Sequence, residues 1–220
     1  SVAAGGENIQ EGFTGAASEA EIAVVKLKEA KDYLRKFYGI RQKAVCYQET
    51  DIVQGLRYLH LLALKKQKPL VMCVALGTNL GGHNGMSSLS QILGSYSRLV
   101  DRCVVIGGGN EANERHHFQG KLNQVGEVQE VEMRVESGNT GFVAELWGTI
   151  PNIVTAYLIS PSGERSPVIS IRQGSRYQLT FPFEQTVVDV EYQLFLRDGR
   201  SQLLFLKFDH PAQGIWKIGV

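Results

Sequence analysis

The hydrophobic period of this chain changes once, near residue 121, and that change restricts its fold more than any other feature. Before it, short apolar runs alternate with stretches in which apolar residues recur every three or four positions. Pro69–Leu76 and Arg102–Ile106 are apolar and β-branched, so they predict buried strands covered on both faces. Between and before them, Ile52, Val53, Leu56, Leu59, Leu62 and Ala63 form one helical stripe, and Leu89, Ile92 and Leu93 form another. The first helix is expected to start at Thr50 or Asp51, either able to cap it, and the second to run over Ser87–Leu99. Strands alternating with helices predict βαβ units and a parallel sheet over residues 1–121, with a charged helical piece inside Glu29–Cys46.

After about Leu122 the period becomes two. Val131, Met133 and Val135 alternate with Glu130, Glu132, Arg134 and Glu136, which predicts a strand with one dry and one wet face. Further strands are expected at 142–147, 153–159, 168–171, 177–181, 187–196, 203–208 and 215–220. They are punctuated by Pro161-Ser162-Gly163, Gln173-Gly174, Asp198-Gly199 and Pro211–Gly214. Asp198-Gly199 between two apolar runs predicts a hairpin. About eight short strands predict a jelly-roll-like sandwich over residues 122–220. The fold class is therefore α/β, a partial parallel-sheet core of βαβαβ order followed by an all-β sandwich. Trp147 and Trp216 are expected in the sandwich core.

Composition excludes several functions. The formal charge is +1 over 220 residues, with no basic face, so nucleic acid is not an expected partner. No apolar run is long enough to span a bilayer, and no membrane partner is expected. Cys46, Cys73 and Cys103 show no metal or redox spacing; Cys73 and Cys103 lie in apolar runs, where a thiol acts as a small hydrophobe. Disulfides, metal ions and cofactors are not expected. His116-His117 are neighbours on an extended segment, so their side chains point apart and suit packing or hydrogen bonding at the junction with the sandwich better than one shared ion. His83, in a Gly/Asn loop, is expected to be exposed. Gly77–Gly85 fits neither glycine pattern that cradles a nucleotide.

The residue that invites chemistry is Asn110, in Gly107-Gly108-Gly109-Asn110-Glu111 directly after the second strand. Three glycines remove every Cβ, so another backbone can come close before the Asn side chain projects. A primary amide held at a strand end can donate to an oxyanion formed during acyl transfer. The same residues also suit a tight βα turn with Asn as a cap.

Order and detail together resemble the subtilisin-like serine proteases, and within them the spore-germination, Csp-type branch. The residues that carry the resemblance are Ala23–Lys28, Ala75-Leu76-Gly77-Thr78-Asn79, Gly109-Asn110-Glu111-Ala112-Asn113, Arg115-His116-His117-Phe118 and Glu145-Leu146-Trp147-Gly148. The resemblance implies a strand at Glu21–Leu27, a helix at Gln48–Gln67, and in Ser1–Gly6 the end of a helix that carries the catalytic His. It implies that Asn110 completes the oxyanion hole. It also implies that Ala75, Leu76, Gly77 and Thr78 offer a docking edge to a peptide substrate, with Gly107, Gly108 and Gly109 opposite. Thr78 stands where simple subtilisins have Gly, which narrows the approach; Gly107 and Gly108 replace alanines, which widens the other wall. The sandwich would be the insertion this branch carries, there to rigidify the protease domain.

No His83, His60, His116, His117 or His210 lies in a His-Gly-Thr context, and no Gly-Thr-Ser occurs. The chain is therefore expected to be a segment lacking the Asp, His and Ser of the triad, inactive alone. Its partners would be a protein or peptide substrate and the rest of its own protease domain, with self-association through the truncated sheet. A spore-associated or secreted parent is implied. Two alternatives stay open: a pseudoprotease that binds or regulates on the same scaffold, and an interaction module built on the sandwich.

Overall fold

The computed structural model describes every residue except 1, 42, 112, 195, 197 and 198. Its first half holds α1 (Asp32–Phe37), α2 (Glu49–Lys66), β1 (Leu70–Val74), α3 (Ser88–Ser97) and β2 (Arg102–Ile106). Strands β1 and β2 pair in parallel, Leu70 opposite Arg102 through Val74 opposite Ile106, with α3 as the crossover. The stripe of α2 and that of α3 close on one face of this pair. Leu56, Met72, Val74 and Leu93 are buried there, with Ile52, Leu59, Leu89, Tyr96 and Val104 around them.

Local signals explain the helix ends. Ser87 Oγ accepts from the Ser90 amide at 3.1 Å and caps α3, as a Ser at that position should. Helix α2 carries Glu49 and Asp51 in its first turn and Lys65 and Lys66 in its last, complementing its dipole. It starts from Gln48 rather than from Thr50 or Asp51, with no side chain capping it. Gln67 ends it in the left-handed conformation, φ 54°, its amide donating back to Leu64.

Three expectations for this half are corrected. Residues 21–27 form no strand of the sheet; Val25 and Leu27 lean on α2 where Gly55 lacks a side chain, a Cβ there falling 3.1 Å from Val25 Cγ1. The segment is tied by its ends instead: Glu29 bridges Tyr47, and Glu21 pairs with Lys66 and Lys68, which hold its carboxyl at about 2. Residues 2–4 form a turn, not a helix; Ser1 lies outside the described residues. Finally, the β1–β2 pair is covered on one face only. Val71 is 68% exposed and Val105 49%, with Cys73 and Cys103 beside them on the same open face as free, exposed thiols. The alternation is that of a one-sided sheet, because α2 and α3 lie together on one side.

The described residues between 107 and 129 form neither helix nor strand, and the second half follows. It is built from β3 (Glu130–Val135), β4 (Gly141–Thr149), β5 (Tyr157–Ile159), β6 (Ser175–Phe181), β7 (Thr186–Gln193), β8 (Ser201–Asp209) and β9 (Gly214–Gly219). All pair antiparallel, in a four-stranded sheet of order β4-β8-β7-β6 and a three-stranded sheet of order β3-β9-β5. The inward residues of both sheets meet in one core, among them Leu158, Phe181, Val188, Tyr192, Leu206, Phe208 and Trp216. Trp216 is fully buried, edge-on to Phe181 and Phe208, and its indole N–H donates to the Ala212 carbonyl at 3.0 Å. Buried Gln202 is also satisfied: its amide donates to the Asn152 carbonyl at 2.6 Å, while its oxygen lies 2.7 Å from the Tyr192 hydroxyl.

Two expected strands are shorter than their apolar runs. Only Tyr157–Ile159 of 153–159 forms a strand, and 168–171 contributes a single bridge, Ile169 to Ala156. Ile169 is fully buried nonetheless, so the run marks burial rather than pairing. The β7–β8 hairpin forms with Gln193 opposite Leu203, and the Leu196 amide donates to the Ser201 carbonyl at 3.2 Å. Asp198 of its expected turn lies outside the described residues. Among the described residues no helix is long and apolar enough to cross a membrane, and no group of three His, Cys, Asp or Glu is placed to hold a metal ion.

Candidate functional site at the ends of the parallel strands

Because β1 and β2 are parallel neighbours, their carboxyl ends open side by side, where an α/β sheet places its ligands. The ladder runs one step beyond the strands: the Gly107 amide donates to the Val74 carbonyl at 3.1 Å. Ala75, Gly77 and Thr78 are exposed past β1 and Leu76 is half-buried; Gly107, Gly108, Gly109 and Asn110 are exposed past β2. The Asn110 side chain has no hydrogen-bond partner among the described residues. The three glycines are not needed for close packing within this chain. A Cβ on Gly108 or Gly109 would meet nothing within 4 Å, and one on Gly107 would make an ordinary 3.7 Å contact with Ala75. Only Gly109, at φ +81°, has a conformation that favours glycine.

The two loops are bridged by side chains. Asn79 Nδ2 donates to Glu111 Oε2 at 2.9 Å and lies 3.2 Å from His116 Nδ1, which in turn is 3.4 Å from the same Glu111 oxygen. The Asn79 amide, and after it His116, hold the Glu111 carboxyl below its ordinary range. Beside this triangle the rings of His83 and His117 face each other with centroids 4.5 Å apart, and His83 Nε2 is 3.3 Å from the Asn79 carbonyl. His83 (φ 50°) and Arg115 (φ 56°) both sit in the left-handed region, where non-glycine residues are uncommon. The adjacent histidines thus diverge to separate partners, as an extended pair should. His116 meets Asn79 of the glycine loop and Glu111 of its own segment, and His117 meets His83 of the glycine loop.

The sandwich holds the same loop from the other side. Glu145 and Trp147, two apart on β4 and so on one face, both reach it. Glu145 Oε2 accepts from the Gly81 amide and from the Trp147 indole, each at 2.8 Å. The Trp147 ring packs on Gly82, where a Cβ would come within 3.0 Å of a ring carbon. Trp147 is therefore a clamp on the loop, half-buried, and not a core residue like Trp216. The same Glu145 charge, after burial, pushes the Tyr38 hydroxyl pKa up.

Sequence reasoning named Asn79, Glu111, His116 and Glu145 without giving them partners. The signal available was the placement of polar residues just past two parallel strands, which become neighbours once those strands pair.

No family model matches this sequence, and no curated protein matches it. Among solved structures, one described as the Clostridium perfringens CspB protease superposes with a TM-score of 0.80 at 23% identity, over 99% of this chain and 44% of that one. The chain spans less than half the length of that structure, and the likeness is one of fold.

Proposed function

We propose that this chain is the part of a Csp-type, subtilisin-like serine endopeptidase that receives the peptide and stabilises the oxyanion. In that role Ala75, Leu76, Gly77 and Thr78 form the edge on which an extended peptide adds as a strand. Gly107, Gly108 and Gly109 leave room opposite, and the Asn110 amide donates to the oxygen of the tetrahedral intermediate. The Ser, His and Asp that break the bond come from elsewhere in the complete protein, so these residues alone are inactive. The β-sandwich, of jelly-roll kind, is the insertion of that branch. Residues 1–121 and 122–220 are the two domains of the piece. The open face of the β1–β2 pair is covered in the complete protein by the rest of the protease domain, and in the isolated chain by a second copy.

The observation that carries this reading is the pairing of β1 with β2 in parallel register, which sets the loop bearing Asn110 beside the Leu76 edge. The likeness in fold to a protease over nearly the whole chain points the same way. The test is Asn110→Leu in the complete protein, assayed on a peptide substrate. Removal of such a donor in a subtilisin lowers kcat by about 10²–10³, and a loss of that magnitude with little change in KM is expected here. Unimpaired turnover would remove Asn110 from the reaction.

A further inference from the structure

We propose that Asn79, Glu111 and His116 form a proton-sensitive latch that positions Asn110, an inference that rests on the oxyanion role given to that residue above. Asn79 belongs to the glycine loop after β1; Glu111 and His116 belong to the segment after β2, and Glu111 is the residue next to Asn110 in the chain. The triangle therefore ties the turn that aims the amide to the loop that forms the docking edge.

The three distances set the rule for the latch. Asn79 Nδ2 carries two hydrogens and sits within reach of both Glu111 Oε2 and His116 Nδ1. With Nδ1 of His116 unprotonated, it accepts from Asn79, and the amide makes two bonds from one loop to the other. Nδ1 and the carboxylate oxygen, 3.4 Å apart, are then two acceptors facing each other. Once His116 is protonated, Nδ1–H donates to Glu111 instead, and the Asn79 hydrogen that faced it loses its acceptor. One of the two bonds between the loops has become a bond within the second loop. The neighbouring ring pair acts in the same direction, since His83 and His117 at 4.5 Å repel each other when both are charged.

The remaining charges around the cluster are few. Glu114 and Arg115 lie on the same segment as Glu111, and Glu145 reaches the glycine loop at Gly81. The Glu111 and His116 side chains are 56% and 51% exposed, so the latch adjusts order locally and does not hold the fold. The two-bond state therefore belongs to the neutral imidazole and the one-bond state to the imidazolium.

The test is ¹⁵N relaxation of the full 220-residue chain from pH 5.5 to 8, reading the backbone amides of Gly108–Glu111 and the Asn110 side-chain NH₂. At pH 8 the backbone amides are expected to have order parameters near those of β2, about 0.85, falling toward about 0.6 at pH 5.5, with the Asn110 side-chain NH₂ losing order in step. Asn79→Ala is expected to give the low values at every pH, and His116→Gln to abolish most of the pH step, with α2 and β7 unchanged in both. Order that ignores pH in the native chain overturns the proposal, as does Asn79→Ala with native order at pH 8 or a full-sized step in His116→Gln. If Asn79→Ala does not fold, the native and His116→Gln profiles decide. None of these readings needs catalysis, so the latch and the role of Asn110 stand or fall separately. Intact turnover in Asn110→Leu removes the function and leaves the latch, whereas a flat pH profile does the reverse.

Discussion

The sandwich and the parallel-strand half solve the problem of burial differently. In the sandwich, the inward faces of two sheets close on each other, and aromatic rings from β6, β8 and β9 lock edge-on around Trp216. In the first half, two helices lie on one face of a two-stranded sheet, and the other face leaves Val71 and Val105 in solvent. The sandwich is thus complete in itself, whereas the half that bears the candidate site is stabilised from one side and steadied at its loops. The lesson is that the candidate site sits on the less self-sufficient scaffold, with Glu145 and Trp147 of the sandwich reaching over to hold its glycine loop.

Paired substitutions test that contrast most strongly. Trp216→Ala is expected to cost about 3–5 kcal/mol of stability, the range for losing a fully buried large aromatic. Met72→Ala, equally buried but beside a face free to relax, is expected at the low end, about 2 kcal/mol. Urea unfolding followed by circular dichroism measures both, and equal losses would erase the distinction between the halves.

The open face supplies the next test. Self-association of the chain through Val71 and Val105 is expected in light scattering at high concentration. Val105→Lys should raise the dissociation constant at least about tenfold, since burying one Val contributes roughly 1.5 kcal/mol. A monomer at every concentration counts against a sticky face.

The smallest effect expected is at the clamp. Glu145→Gln keeps an acceptor for the Gly81 amide but weakens a charge-assisted bond, so a loss of about 1 kcal/mol is expected. Hydrogen exchange should show it as faster opening of the 77–85 loop with the sandwich strands unchanged. A uniform change across the chain would mean that Glu145 supports the fold and not the loop.

Much of this was legible in the sequence because the physics involved is local. Arg102–Ile106 pairs over the whole predicted run, α3 starts at the residue after the capping Ser87, and the alternation from Glu130 to Val135 is a strand in full. What failed depends on partners that a local pattern does not specify. Val71, Cys73, Cys103 and Val105 are apolar enough for a covered face, yet coverage depends on which side α2 and α3 take. Residues 21–27 have strand composition but no ladder. Trp147 looks like core by type, and only the approach of Gly82 turns it into a clamp. At the site, the neighbourhood of Asn110 followed from two parallel strands, whereas the Asn79–Glu111–His116 triangle required knowing how two irregular loops meet.

The spacing of Glu145 and Trp147 carries one more consequence. Both are placed by the register of β4 on β8, in which Glu145 lies opposite Phe205 and Trp147 opposite Leu203. A slip of one residue would turn both side chains to the wrong face at the same moment and leave the glycine loop without its anchor. Misaligned strands would therefore betray themselves at a distance, as a slackened rim, so that only a correctly registered sandwich can present a well-formed site.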